Sequence, residues 1–368
     1  MPKISIILPC YNAGEYLHRS IPSCLNQTLK DIEIICINDG STDNTTEILQ
    51  EYANKDNRIK IITQKNQGTL VSRKRGMEHA IGEYCMFLDQ DDSYELQACQ
   101  ELYQWIEEQK VDMVDCRYNI IEQDNTVHNW PLSSLSYQKL NSLEALEKIV
   151  DHRSNFHSAV FIWKKILSSY LYKKVASHIP EKYMTSHEDI FIVSLCFYFA
   201  RTFYAIDNIY YNHYEGIGFF KGHCFSQFQK AMSSIQTFHS YFMEFVEKQK
   251  PPLSFKKSLK KIIYAMIDIE GINIWNQLCP PERKEEGFLL MWNILSKEAI
   301  VGRWLENYTF IQNQKRLIQI QQKQLQFFTS LFQNLIKALR FPFDFLSGVY
   351  SFVVQKIYKF PNFINKES

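Results

Sequence analysis

Tyr84-Cys85-Met86-Phe87-Leu88-Asp89-Gln90-Asp91-Asp92, residues 84–92, runs from a short apolar stretch straight into three carboxylates. An apolar run of that length, bounded by polar residues, reads as a buried strand that ends where the carboxylates begin. The same pattern recurs upstream. Ile4 to Leu8 leads into Pro9, Tyr11 and Asn12, Ile32 to Ile37 leads into Asp39-Gly40-Ser41-Thr42-Asp43, and Ile59 to Ile62 forms a further run. Helical stretches separate these runs at Glu15 to Asn26, Thr45 to Ala53 and Thr69 to Ala80. Alternation of this kind predicts an α/β fold built on a mostly parallel sheet with crossover helices. Asn44 is the expected cap of the second helix, with Glu47 three residues on to complete a capping box. Ligands of such sheets lie beyond the carboxyl ends of the strands, which is where the polar clusters stand.

The chain has 368 residues, more than one average domain needs, so additional elements are expected around this unit. Hydrophobic residues make up 45% and charged residues 22%, which excludes a disordered or fibrous class. A net charge of +1 gives no electrostatic footprint for nucleic acid. The average conceals an asymmetry: from Ile311 onward eight Lys or Arg stand against Asp344 and Glu367, so the tail carries +6 and the remainder −5. Nine scattered cysteines without a CxxC pair indicate neither a disulfide framework nor a zinc cage, and a reducing cytoplasm fits them. The N-terminal apolar run is too short for a signal peptide, and no stretch offers the about 20 apolar residues of a membrane span.

Asp89 and Asp91 form an Asp-x-Asp pair. Like charges so close repel, and a divalent cation bridging a diphosphate removes that cost; two hard oxygen ligands leave the other positions to water and phosphate, as Mg²⁺ or Mn²⁺ requires. An acidic turn capping a helix near Ser93 is the structural alternative. Asp39 suits a base N–H such as uracil N3, although Asp-Gly-Ser-Thr-Asp is also ordinary turn chemistry. Arg73, within Gly68 to Gly76, is placed to meet base or diphosphate. His187-Glu188-Asp189 precedes the apolar run Ile190 to Ala200, where a carboxylate at the mouth of a buried helix serves either as a base or as charge answering the helix dipole.

In this order, Ile4 to Asn12, Cys24-Leu-Asn-Gln-Thr28, Ile37 to Asp43, Gly82 to Asp92 and His187 to Phe191 resemble family 2 glycosyltransferases with the GT-A fold. The resemblance is strong over 3–93, weaker to about 215 and absent beyond. It implies a nucleotide-sugar-binding half at 1–125 and an acceptor-binding half at 126–225, followed by a helical region at 226–310 and a basic amphipathic tail at 311–368. By resemblance Pro9, Tyr11, Asn12, Asp39 and Arg73 would hold the nucleoside, most often uridine. Asp89 would sit near the ribose, Asp91 on the metal with Asp92 close by, and Asp189 would be the catalytic base, oriented by Glu188. His213, in Tyr210-Tyr211-Asn212-His213, is a further candidate ligand or phosphate contact. His157, Trp163 and Glu188 are candidates on the acceptor side. Ser72-Arg73-Lys74-Arg75-Gly76 departs from the family's common Ala-Arg-Asn-x-Gly by losing the Asn.

The implied reaction is a single, inverting displacement from a UDP-sugar onto a hydroxyl of a growing surface glycan or glycolipid, assisted by Mn²⁺ or Mg²⁺. A sugar nucleotidyltransferase is a rival, but it wants a Gly-rich loop after the first strand where this chain has Tyr11-Asn12-Ala13-Gly14. A catalytically inactive scaffold is the other. Apolar residues at 318, 325, 328, 332, 335 and 339 follow helical spacing and leave a basic face. That pattern suits peripheral contact with an anionic membrane surface, a partner protein or the tail's own domain. Oligomeric state is left open.

Overall fold

The computed structural model describes residues 1–129, 135–151, 160–184, 187–215, 225–263, 274–275 and 278–295. The chain divides into two compact units, Met1–Ile300 and Val301–Ser368. The second unit, and with it the basic tail, lies outside the described residues, as does His157.

The first four strands are β1 (Ile4–Cys10), β2 (Ile32–Asn38), β3 (Ile59–Thr63) and β4 (Tyr84–Phe87), and the crossovers between them are α1 (Leu17–Leu25), α2 (Thr45–Lys55) and α3 (Thr69–His79). β1 and β2 are buried at every position, because helices cover both faces of a parallel sheet. β5 (Ser93–Tyr94), α4 (Ala98–Gln109), β6 (Met113–Ile121), β7 (Val127–Asn129), β8 (Lys139–Asn141) and α5 (Ser142–Asp151) follow. Next come β9 (Lys165–Ser168), α6 (Ser169–Ala176), α7 (Glu188–Phe199) and β10 (Thr202–Tyr214).

One sheet contains all of these strands in the order β3-β2-β1-β4-β9-β6-β10-β5, with β7 on β6 and β8 on β10. β1 to β4 are mutually parallel, β9 runs against both β4 and β6, and β6 and β10 run parallel to each other. The expected α/β sheet is present, and it extends without a break from β3 to β5. Beyond β10 the described residues are helical, as the sequence pattern predicts: α8 (Phe225–Gln249), α9 (Leu253–Ile262) and α10 (Lys284–Ile294). Among the described residues no helix is long and apolar enough to cross a membrane.

Two local expectations change. Asn44 precedes α2 but makes no capping bond; Asp43 takes that role, its Oδ1 accepting from the Thr45 N–H at 3.0 Å and its Oδ2 from the Gly14 N–H at 3.1 Å. One carboxylate therefore caps the helix and ties the loop after β1 to the loop after β2. Ser93, expected near a helix start, lies instead in β5 and pairs with Asn212 of β10.

α3 lies on β1 and β2, and Gly76 is the point of closest approach: a Cβ there would stand 2.3 Å from Cγ2 of Ile7. Gly76→Val is expected to destabilise the fold by about 1–3 kcal/mol through overpacking, read from the denaturant midpoint at unchanged slope.

Candidate functional site

The carboxyl ends of β1, β2 and β4 bring their loops together, and the start of α7 meets them. At the centre is Arg73 on α3, only 1% exposed. Its Nη2 donates to Oδ1 of Asp89 at 2.7 Å, and its Nη1 donates to Oε1 of Glu188 at 3.2 Å and to Oδ1 of Asp189. The two carboxylates of α7 are thereby joined to the carboxylate at the end of β4 through one guanidinium. α7 is apolar all round and buried from Ile190 to Phe197, which fixes its first turn against α3.

One positive charge among three negative ones leaves the cluster with an excess of negative charge. Burial pushes the Asp189 carboxyl up to about 8, against the Arg73 charge and with help from Glu188 and Asp89. Burial also raises Glu188. Arg73 is held firmly protonated: burial works against its charge, but the Asp189, Asp89 and Glu188 carboxylates outweigh it.

Asp91 and Asp92 behave differently. Asp92 is 1% exposed and turned into the sheet, where its carboxylate accepts from Tyr211 Oη at 2.7 Å, His213 Nδ1 at 3.1 Å and the Tyr214 N–H at 3.0 Å. Tyr211 Oη also receives the Asp89 N–H at 3.2 Å, so one hydroxyl spans the acidic loop. His213, paired with Asp92, rises to about 9 although burial pulls it down. Asp91 has no ion-pair partner among the described residues, and burial, with Asp92 and Asp89 nearby, raises it to about 7. Among those residues no three His, Cys, Asp or Glu side chains form a metal cage. The donor set fits a cation only in part: Asp91 is open and Asp89 keeps one oxygen clear of Arg73, while Asp92 and His213 are bonded to each other. Two hard oxygens suit a divalent ion whose remaining ligands come from phosphate and water.

Asp39 is 4% exposed and spends its carboxylate on the loop before α3, accepting from Gln64 Nε2, the Gln67 N–H and the Gly68 N–H at 2.7–2.8 Å. Three of about four lone-pair positions are thus used, and one is left for a ligand N–H. Pro9 is buried in β1 opposite Ile37. Tyr11 is 45% exposed, and its backbone N–H donates to Gln90 Oε1 at 2.8 Å. Asn12 adopts φ +49°, and its Oδ1 accepts from the Thr42 N–H at 2.8 Å. Trp163 is 4% exposed and stacks on Tyr211, Phe161 and His213 with centroids 4.3, 4.8 and 5.7 Å away. It backs the acidic loop through His213 and Tyr211.

Several contributors were missed by sequence reasoning. Gln90 holds the Tyr11 backbone, Tyr211 braces Asp89 and Asp92, and the Arg19 guanidinium donates to the Asp91 carbonyl. Gln90 stood inside the acidic stretch and Tyr211 inside the segment singled out for His213, so both carried a signal; Arg19 carried none.

Residues 5–170 match the family model described as glycosyl transferase family 2. The chain is 33% identical over 222 residues to the cholesterol galactosyltransferase of Borreliella burgdorferi, covering 59% of this chain and 61% of that protein. It is 33% identical over 174 residues to the uncharacterized glycosyltransferase EpsJ of Bacillus subtilis, 47% of this chain and 48% of that one. The matches thus span between about half and three-fifths of these relatives' own lengths. In structure the chain is similar to S. aureus TarS in complex with UDP-GlcNAc, with a TM-score of 0.54 at 16% identity over 81% of this chain and 82% of that one. That likeness establishes the GT-A fold. Residues 5–170 thus match glycosyltransferase family 2 in sequence, on a chain whose fold is GT-A.

Proposed function

We propose that the protein is an inverting glycosyltransferase that moves a hexose or N-acetylhexosamine from a UDP-sugar to a hydroxyl of a growing surface glycan or glycolipid. The observation that carries this reading is the Arg73 cluster, in which the donor-side Asp89 and the carboxylates of α7 share one guanidinium, with Asp91 open beside it. The TarS complex holds UDP-GlcNAc, and a mannosyltransferase of Pyrobaculum calidifontis of similar fold holds GDP-Man and Mn²⁺ (TM-score 0.50, 12% identity, 91% of this chain and 87% of that one); both are consistent with a nucleotide-sugar donor here.

In this reading Tyr11, Asn12 and the remaining acceptor position of Asp39 face the nucleoside, with Pro9 setting the end of β1. Asp89 and Asp91 hold Mn²⁺ or Mg²⁺, which when bound offsets the charge growing on the departing diphosphate. Asp92 and His213 brace that loop from the sheet side. Asp189 takes the proton from the acceptor hydroxyl as its oxygen attacks the anomeric carbon, and the nucleotide leaves from the opposite face. Glu188 shares Arg73 with the base and orients it, and Trp163 supports the acceptor side from below. A base with a raised proton affinity accepts that proton more readily than an ordinary carboxylate. The net +6 of residues 311–368 supports peripheral contact with an anionic membrane surface, where a lipid-linked acceptor would be met.

Purified protein offered a panel of UDP-, GDP- and CDP-sugars should slowly release UDP from one donor in the presence of Mn²⁺ and not with EDTA. Asp91→Ala should reduce that rate at least roughly 100-fold with the thermal midpoint nearly unchanged, since only a charge-stabilising group is lost. Bound UDP without turnover on any acceptor would favour an inactive scaffold instead.

The base works only as a carboxylate, so kcat/KM should climb tenfold per pH unit below the Asp189 value of about 8 and level off above it. Asp189→Asn should remove both the activity and that limb. The product should carry the β-linkage when the donor is α, read from the anomeric NMR coupling, and a retained linkage would overturn the single displacement.

A further inference from the structure

Asp91 differs from its acidic neighbours in how it is held. Asp89 is gripped by Arg73 and Asp92 by Tyr211, His213 and Tyr214, whereas the Asp91 carboxylate has no ion-pair partner among the described residues. What fixes Asp91 is its main chain. Nη2 of Arg19, on α1, donates to the Asp91 carbonyl, and the Arg19 guanidinium lies over the ring of Tyr214, 3.6 Å from its centroid. The main chain that carries this ring is anchored, because the Tyr214 N–H donates to Asp92 at 3.0 Å. Arg19 makes no ion pair among the described residues, and its buried Nε has no hydrogen-bond partner in the described structure. Its position therefore answers to the Asp91 carbonyl and the Tyr214 face. An Arg that gives up some of its hydrogen bonds to sit on one peptide carbonyl and one aromatic face is a strut between three elements: α1, the loop after β4 and the end of β10.

We infer that Arg19 is a positioning residue that aims the Asp91 carboxylate for a divalent cation, and that Tyr214 holds Arg19 in place. The inference rests on the metal reading of Asp91 given under the proposed function. Both planarity and charge matter: the flat guanidinium stacks on Tyr214 while one N–H points along its plane to the carbonyl, a geometry that an ammonium group does not reproduce.

The test is Mn²⁺ binding by the full chain in the presence of UDP, followed by loss of the free-ion electron paramagnetic resonance signal, beside UDP binding without metal. Arg19→Ala should weaken Mn²⁺ by about tenfold and Tyr214→Leu by about threefold, as expected for losing a charge-assisted bond and its support, with metal-free UDP affinity unchanged. Arg19→Lys, which keeps the charge and serves if the alanine variant does not fold, should stay close to the alanine value. Mn²⁺ affinity within about twofold of wild type in Arg19→Ala, or full recovery in Arg19→Lys, would overturn the positioning role. Absence of Mn²⁺ binding by the wild type would instead overturn the metal reading of Asp91, and this inference with it.

Discussion

The guanidinium of Arg73 is nearly withdrawn from water, and a buried charge of that kind is costly unless its donors are matched. Here they are over-matched. Three carboxylates converge on it, each part-exposed (28% for Asp89, 13% for Glu188 and 17% for Asp189), so solvent carries the negative charge that Arg73 does not. This arrangement decides where α3, the end of β4 and the start of α7 stand relative to one another. Burial is the main reason for the raised proton affinity of Asp189; Arg73 opposes it, and the neighbouring Glu188 and Asp89 charges add to it.

Around that centre the protein separates two kinds of carboxylate by what faces them. Asp92 and Asp39 spend most of their acceptor capacity on bracing loops, Asp92 with β10 and Asp39 with the segment before α3, where one acceptor position stays unused. Asp91 is left open. Neighbouring side chains of the same chemistry thus do different work, because the fold supplies donors to some and withholds them from one. The stack of Phe161, Trp163, Tyr211 and His213 makes this distinction durable: planar rings in contact leave Tyr211 and His213 little freedom to turn away from Asp92.

The four parallel strands were legible in the sequence because each is a short, mainly apolar run ending in polar residues, interrupted only by Ser5, Glu33 and Lys60, and the observed limits differ from the expected ones by at most two residues. The start of α7 at Glu188 was legible for the same reason, an acidic pair before a wholly apolar segment. Caps were less so. Asp43 and Asn44 are chemically equivalent candidates, and only the position of the Gly14 N–H across the loop selects Asp43. Two of the three carboxylate partners of Arg73, Glu188 and Asp189, lie 115 and 116 positions away, a separation no local pattern encodes. Trp163 was named from sequence as an acceptor-side candidate, and what the sequence did not display is its stacking on Tyr211 of β10, which leaves 4% of its surface exposed.

Gly68 has φ +86°, and a Cβ on it would stand 2.8 Å from the carbonyl oxygen of Met184, whose oxygen also accepts the Leu70 N–H. The segment that leads toward α7 therefore rests directly on the backbone at the start of α3. Main chain, and not side chain, sets the spacing between the start of α3 and the residues leading to Glu188 and Asp189. Substitution of side chains around the site leaves that main-chain spacing in place, so the residues lining it can vary without moving α3 relative to the segment before Glu188 and Asp189. The same backbone contact limits what can be inserted: an added residue between Gly68 and Leu70 would push the start of α3, and Arg73 with it, out of register with the Met184 main chain.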